Sequence, residues 1–212
     1  MQPHVNSPAN NTSTVFVVDD DDSLRDAIRS LLRSVGHTVE MYQSAEEFLQ
    51  HRDPAQPGCL VLDIRLPDTS GLELQKTLRE MNDRIPIIFI TGHGDVPMSV
   101  QTMKAGAMDF LLKPFRDQDL LETIQAALRR DRARRDEDAS AAKDTANYAS
   151  LTAREREIME HVVTGQINKR IAADVGLSEV TVKIHRAQVM RKMGAGSVAD
   201  LVRIADKLKA LR

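Results

Sequence analysis

The chain has one cysteine among its 212 residues, Cys59, set in an apolar run. A disulfide framework is therefore excluded, Cys59 is expected to be a small buried hydrophobe, and a reducing cytoplasm is the expected compartment. No apolar run approaches the roughly 18 residues that a membrane span requires. The first 13 residues, MQPHVNSPANNTS, lack the basic and hydrophobic regions of a signal peptide, so no membrane partner is expected. The six histidines show no metal-ligand spacing: Glu157 and His161 share a helical face, but further ligands are missing. A strong net charge is absent too, the total being −2, yet the distribution is uneven. Residues 1–130 hold 13 Lys and Arg against 19 Asp and Glu, net −6, residues 131–150 come to −1, and residues 151–212 hold 12 against 7, net +5. A basic end hints at nucleic acid.

What is present falls into two regimes. From 14 to about 128, β-branched runs alternate with helical patterns: TVFVV, LRDAIRSLLRSVG, HTVEMY, AEEFLQH, GCLVLD, GLELQKTLREM, IPIIFI, PMSVQTMKAGA, DFLLK and DLLETIQAALRR. Five strands and five helices in βα alternation predict an α/β domain with a parallel sheet between two helix layers, and the continuously apolar strands fit burial on both faces. Residues 129–150 carry mixed charges without an apolar stripe and read as a helical extension fading into a linker. Beyond 151 the pattern is all-α. Four helices are expected, over 151–165, 167–175, 179–193 and 198–208, with Thr152, Asn168, Ser178 and Ser197 at or near their N-caps.

The stretch VFVVDDDDS, residues 15–23, runs a buried strand into four aspartates. Ligands of open parallel sheets sit beyond the carboxyl ends of the strands. Asp19 and Asp20 follow strand one, Asp63 ends strand three, Thr91 ends strand four and Lys113 ends strand five, which places all five on one rim. Three carboxylates in reach of one another call for a cation, and Mg²⁺ favours carboxylates together with water and phosphate oxygens. With a hydroxyl and a lysine beside them, the set suits phosphoryl chemistry with one carboxylate as nucleophile.

The blocks VVDDD, CLVLDIRLPDTSG and IFITGHGDVPMSVQTMKAGAMDFLLKPF resemble the receiver domain of bacterial two-component response regulators of the FixJ/NarL class, whose fold is a flavodoxin-like (βα)5 sheet. The resemblance implies that Asp63 is the phosphoacceptor. Mg²⁺ or Mn²⁺ would be held by Asp19, Asp20, Asp63 and the backbone carbonyl of Arg65, with Asp20 the direct ligand of the acidic pair and Asp19 acting through water. Thr91 would be the switch hydroxyl, Gly92 the small residue that leaves room for the phosphoryl group, and Lys113 its cationic partner ahead of a cis bond to Pro114. Phe110 sits where the family keeps an aromatic that turns inward on activation, although a core aromatic is an equally good reading. Arg65 and His93 would influence access of hydrolytic water. Asp22 is expected to cap the first helix.

The basic end, LTAREREIMEHVVTGQINKRIAADVGLSEVTVKIHRAQVMRKMGAGSVADLVRIA, resembles a LuxR-type helix-turn-helix domain. Gly176 supplies the positive φ of the turn. Val182, Val189 and Met193 share one face of the next helix, which turns Lys183, Ile184, Ala187, Gln188 and Arg191 outward. A helix with that outer face suits the major groove. By the family pattern Lys183, Ile184 and Ala187 point at base edges, while Lys169, His185, Arg191 and Lys192 meet phosphates; as Ala187 offers only a methyl, direct readout would lean on Lys183, Ile184 and Arg186 or Gln188.

The resulting expectation is a disordered tail over 1–13, a receiver domain over 14–130, a linker over 131–150 and a DNA-binding domain over 151–212. The chain would be a transcriptional regulator, an activator by resemblance, and not a turnover enzyme. Its partners would be a sensor histidine kinase, a double-stranded DNA operator, RNA polymerase and, on phosphorylation, a second copy of itself. An aspartate-nucleophile phosphatase also places Asp after a strand, but it carries a second acid two residues on, where this chain has Arg65. A receiver that has lost its phosphorylation remains the other alternative.

Overall fold

The computed structural model describes residues 13–67, 69–92 and 108–210. The expectations for the tail, for the helix in PMSVQTMKAGA and for His93 lie outside the described residues. Five strands are described: β1 (Thr14–Val18), β2 (Thr38–Tyr42), β3 (Gly58–Asp63), β4 (Ile87–Thr91) and β5 (Asp109–Leu112). The helices are α1 (Asp22–Ser34), α2 (Ala45–His51), α3 (Gly71–Glu80), α4 (Asp117–Ala149), α5 (Ala153–Val163), α6 (Asn168–Val175), α7 (Glu179–Met193) and α8 (Val198–Ala210). They form two compact units that divide between Arg134 and Arg135.

The first unit is a parallel sheet in the order β2-β1-β3-β4-β5. Alternation along each strand sorts its side chains between two layers. Val15, Val17, Cys59, Val61, Ile88 and Ile90 pack with Ile28 and Leu32 of α1 and with Leu120, Ile124 and Ala127 of α4. Phe16, Val18, Leu60, Leu62 and Phe89 pack with Phe48 of α2 and with Leu74 and Leu78 of α3. Each fully buried side chain of this size contributes about 1.5–3 kcal/mol relative to exposure. The central strands β1, β3 and β4 are buried along their whole length, as their unbroken apolar sequences require. Burial pushes the Cys59 thiol pKa up, so the thiol is inert as expected.

Helix α4 runs without a break through the charged stretch after 129. At Asp131, buried at 1% exposure, its carboxylate accepts the Gly58 N–H at 3.0 Å and pairs with Arg134 at 2.5 Å, which fixes this turn to the start of β3. No apolar periodicity announces this anchor.

The second unit packs α5 to α8 around Ile158, Val162, Ile171, Val182, Val189, Met193 and Leu201. Thr152 and Ser178 cap α5 and α7 as expected, and Ser197 accepts the Asp200 N–H at 3.1 Å in the first turn of α8. Asn168 does not cap α6. Ile167 holds that position without a side-chain bond, and Asn168 Oδ1 instead accepts a hydrogen bond from Arg186 at 2.7 Å, tying α6 to α7. Gly176 ends α6 at φ 67°, and the Leu177 N–H closes the turn on the Ala172 carbonyl at 3.0 Å.

Candidate functional site

The four aspartates of VFVVDDDDS have four different surroundings. Asp19, just past β1, is fully buried; its Oδ1 accepts the Asp21 N–H at 2.9 Å and its Oδ2 accepts from Lys113 Nζ at 2.6 Å. Asp20 is exposed. Asp21 caps α1, accepting the N–H groups of Ser23 and Leu24. Asp22 was expected to be that cap; it is instead the first helical residue and pairs with Arg25. The extended backbone that a cap requires falls at Asp21, φ −81° and ψ 106°, because the chain turns from strand to helix in only three residues.

Arg25 went unnoticed in the sequence. Its guanidinium donates to the Asp19 carbonyl and to Asp22, which holds the start of α1 against the end of β1. A charge in register with Ile28 and Leu32 on the inward face of α1 was the available signal.

The expected rim does assemble. Asp63 ends β3 and is buried at 6% exposure; its Oδ1 accepts the Arg65 N–H at 3.0 Å and its Oδ2 accepts from Lys113 Nζ at 2.6 Å. One ammonium thus bridges two carboxylates from different strands. Thr91, fully buried, ends β4, and its carbonyl accepts the Lys113 N–H at 2.7 Å, just before the cis Lys113–Pro114 bond. One carboxylate oxygen from each of Asp19, Asp20 and Asp63 lies within 4.8 Å of the other two. Three carboxylates against one ammonium leave an excess of negative charge. Burial pushes the Asp19 carboxyl pKa up, with the Lys113 hydrogen bond opposing it. Burial works against the charge of Lys113, but its hydrogen bonds to Asp19 and Asp63 outweigh that and raise its pKa. Hard oxygen donors in such a cluster fit Mg²⁺ or Mn²⁺.

Two glycines frame the site. A Cβ at Gly92, next to Thr91, would meet no atom of the described residues within 4 Å. A Cβ at Gly71 would lie 2.5 Å from the Asp63 carbonyl oxygen, and the Gly71 N–H donates to the Ile64 carbonyl at 2.9 Å. The start of α3 therefore presses on the backbone of Asp63, a close approach that the sequence motif contained without giving its reason. Phe110 is half-buried in β5, opposite Phe89, and packs against the layer that holds α2 and α3.

In the second unit, Lys183, Ile184, Ala187 and Arg191 are exposed on α7 and Lys169 is exposed on α6, while His185 and Gln188 are half-buried. Gln188 Oε1 accepts from Arg191 at 2.5 Å. Lys192 was expected at a phosphate. The structure gives it an internal partner: its Nζ lies 2.6 Å from the buried Glu155 carboxylate and 3.3 Å from the Ser150 carbonyl. That contact with Lys192, with the Thr152 N–H helping, lowers the Glu155 pKa to about 2. Glu155 also completes the capping box of α5 with Thr152, so Lys192 ties α7 to the entry of the unit.

Comparison with known families matches residues 15–125 to the response regulator receiver domain and residues 149–205 to bacterial regulatory proteins of the luxR family. Nodulation protein W of Bradyrhizobium diazoefficiens is 51% identical over 200 residues, covering 94% of this chain and 88% of that protein. The response regulator protein TodT of Pseudomonas putida is 45% identical over 197 residues, covering 93% and 87%. Among solved structures, the response regulator StyR superimposes with a TM-score of 0.85 at 48% identity, covering 92% of this chain and 99% of that one.

Proposed function

The chain belongs to the two-component response regulators, as a receiver domain joined to a LuxR-type DNA-binding domain, and on that premise we propose that Asp63 accepts a phosphoryl group and that the acyl phosphate gates DNA binding. The observation that carries the proposal is the Lys113 bridge, 2.6 Å to Asp19 and 2.6 Å to Asp63, at the carboxyl ends of the strands. The donor is a phosphohistidine of a sensor kinase. An Asp63 carboxylate oxygen attacks phosphorus, the P–N bond breaks as the P–O bond forms, and the imidazole leaves with the electron pair and takes up a proton.

Asp19, Asp20, Asp63 and the Arg65 carbonyl would hold a divalent cation, which would supply charge neutralisation to the transferring phosphoryl oxygens. Lys113, already on Asp63, is placed to follow the negative charge to the phosphoryl group, and the Thr91 hydroxyl donates to it from the end of β4. Space left by Thr91 admits Phe110, and the face around β5 changes. A second protomer binds that face, two half-sites are occupied together, and transcription is activated through RNA polymerase. Near-complete switching, from 1:99 to 99:1, requires the phosphoryl group to favour the active state by about 5.5 kcal/mol.

Intact mass and light scattering after incubation with Mg²⁺ and a small acyl phosphate test the reading, with Asp63→Asn alongside. One added phosphoryl and a monomer-to-dimer shift, both absent from the variant, are expected. Repeated turnover of the donor, or an unchanged response in Asp63→Asn, overturns it.

A further inference from the structure

Only three residues, Asp19 to Asp21, separate β1 from α1. Two of them are committed within the fold. Asp19 accepts the Asp21 N–H at 2.9 Å and the Lys113 ammonium at 2.6 Å, and Asp21 caps α1 by accepting the Ser23 and Leu24 N–H groups. Asp20 between them is exposed, yet one of its carboxylate oxygens stands with those of Asp19 and Asp63 in the cluster that fits a cation. Among the described residues, no hydrogen bond or ion pair holds the Asp20 carboxylate. An exposed ligand of this kind takes its position from its backbone, and ordering it at the moment of binding would lower affinity.

That backbone is held by Arg25. One guanidinium nitrogen donates to the Asp19 carbonyl, which belongs to the peptide that leads into Asp20, and another pairs with Asp22, two residues past Asp20. Because the peptide unit is planar, pinning its carbonyl also sets the N–H and the Cα of Asp20. The clasp is itself fixed. Arg25 is 8% exposed on the inward face of α1, in line with Ile28 and Leu32, and its backbone N–H donates to the Asp21 carbonyl at 2.9 Å. Its guanidinium sits on a main-chain oxygen and on Asp22, so it does not compete with Lys113 or a metal ion for the carboxylates of Asp19, Asp20 and Asp63. The fork matters here: two nitrogens at fixed spacing reach both partners at once, a geometry that a lysine ammonium does not reproduce.

We propose that Arg25 is a positioning residue of the cation site: by clasping the chain on both sides of Asp20 it presets that ligand and raises the affinity for Mg²⁺, touching neither the ion nor the phosphoryl group. The proposal rests on the reading of Asp19, Asp20 and Asp63 as the cation site. Partners that orient a metal ligand from outside the coordination shell contribute roughly 10–100-fold in affinity.

Mn²⁺ binding to the full chain, read from the EPR signal of the free ion with Mg²⁺ as competitor, tests this without a phosphodonor. Arg25→Met keeps an apolar stem and leaves Asp22, whose side chain is 88% exposed, in water, so no buried charge is stranded. It is expected to bind either cation about tenfold or more weakly than the parent. Arg25→Lys, which keeps the charge but lacks the fork, should fall between the two, and it carries the test if Arg25→Met does not fold. In an Asp20→Asn background Arg25→Met should cause little further loss, because Arg25 acts through Asp20. With a small acyl phosphate as donor, the Mg²⁺ concentration for half-maximal phosphorylation of Arg25→Met should rise by the same factor, while the rate at saturating Mg²⁺ returns to that of the parent. Parent-like cation affinity in folded Arg25→Met, or in Arg25→Lys where that variant stands alone, overturns the proposal. So does an undiminished loss in the Asp20→Asn background, or a rate that stays low at saturating Mg²⁺. No cation binding by the parent chain overturns the reading of the site itself.

Discussion

The two units bury charge in opposite ways. The sheet unit encloses Asp19, Asp63, Asp83, Asp131, Arg25 and Arg52, whereas Glu155 is the single charged residue of the helical unit among the buried residues described. The reason is topological. A parallel sheet sends every strand end into a crowded loop layer, where polar groups are desolvated and must find partners from distant parts of the chain. A short bundle of four helices satisfies its backbone within each helix, so its charges can remain at the surface. The candidate site in the first unit is therefore an assembly of residues far apart in sequence, and the candidate residues of the second lie on two consecutive helices, most of them on α7.

The largest break in this contrast comes from removing one partner of a buried pair. Arg52 Nε lies 2.8 Å from Asp83 in a pair with side chains 2% and 3% exposed, and the guanidinium stacks 5.0 Å from the Phe16 ring centroid. Asp83→Ala is expected to destabilise the sheet unit by about 3–5 kcal/mol, since an uncompensated buried charge remains. The two tyrosines allow the units to be followed separately, because Tyr42 packs on Phe48 in the first and Tyr148 lies under Arg156 in the second. Fluorotyrosine NMR during urea unfolding should show the Tyr42 signal changing at lower urea in this variant with the Tyr148 signal unmoved. Equal movement of both would mean that the units unfold as one.

Next in size is Gly71→Ala, which forces a Cβ against the Asp63 carbonyl. A loss of about 1–3 kcal/mol is expected from overpacking, with slower phosphoryl acceptance from displacement of Asp63. The same change at Gly176, which has open space but φ 67°, should cost about 1–2 kcal/mol in the helical unit and leave phosphoryl acceptance intact. Measured midpoints of the two tyrosine signals and the phosphorylation rate separate the two cases.

A smaller effect is expected at Glu155. Its folded pKa of about 2 lies below the ordinary value of 4.5, so the Lys192 contact stabilises the helical unit above about pH 4.5, and that contribution is lost as pH falls toward 2. Glu155→Gln should flatten the dependence of the Tyr148 transition across this window. If the mutant and the parent lose stability in parallel there, the contact is not the cause. The smallest effect on stability belongs to Val180→Ala, whose midpoint should equal that of the parent because its side chain is exposed.

Much of this was legible in the residues. Unbroken apolar runs announced β1, β3 and β4, and the aspartates, threonine and lysine that follow the strands announced the rim. Local capping chemistry gave most helix starts of the second unit. Where it failed, at Asp22 and Asn168, a neighbouring residue held the required extended backbone, or a distant arginine took the side chain. The Lys192–Glu155 pair was hidden for a similar reason: the sequence neighbourhood of Lys192 is that of a surface lysine, and Glu155 is 37 residues away. Arg25 and Gly71 were visible as letters, but their contacts arise only when a helix start meets a strand end.

The sequence by itself determined the two-part organisation, the α/β and all-α classes, the acidic rim and the basic helix, because each rests on periodicity, composition or spacing within a short window. Tertiary structure alone decided that Lys113 bridges Asp19 and Asp63, that Asp131 holds α4 to the start of β3, that Lys192 turns inward, and that Val180 and Ile184 stand uncovered. These depend on distances between residues that no local pattern encodes, and on desolvation, which is fixed only once the layers have closed around each group.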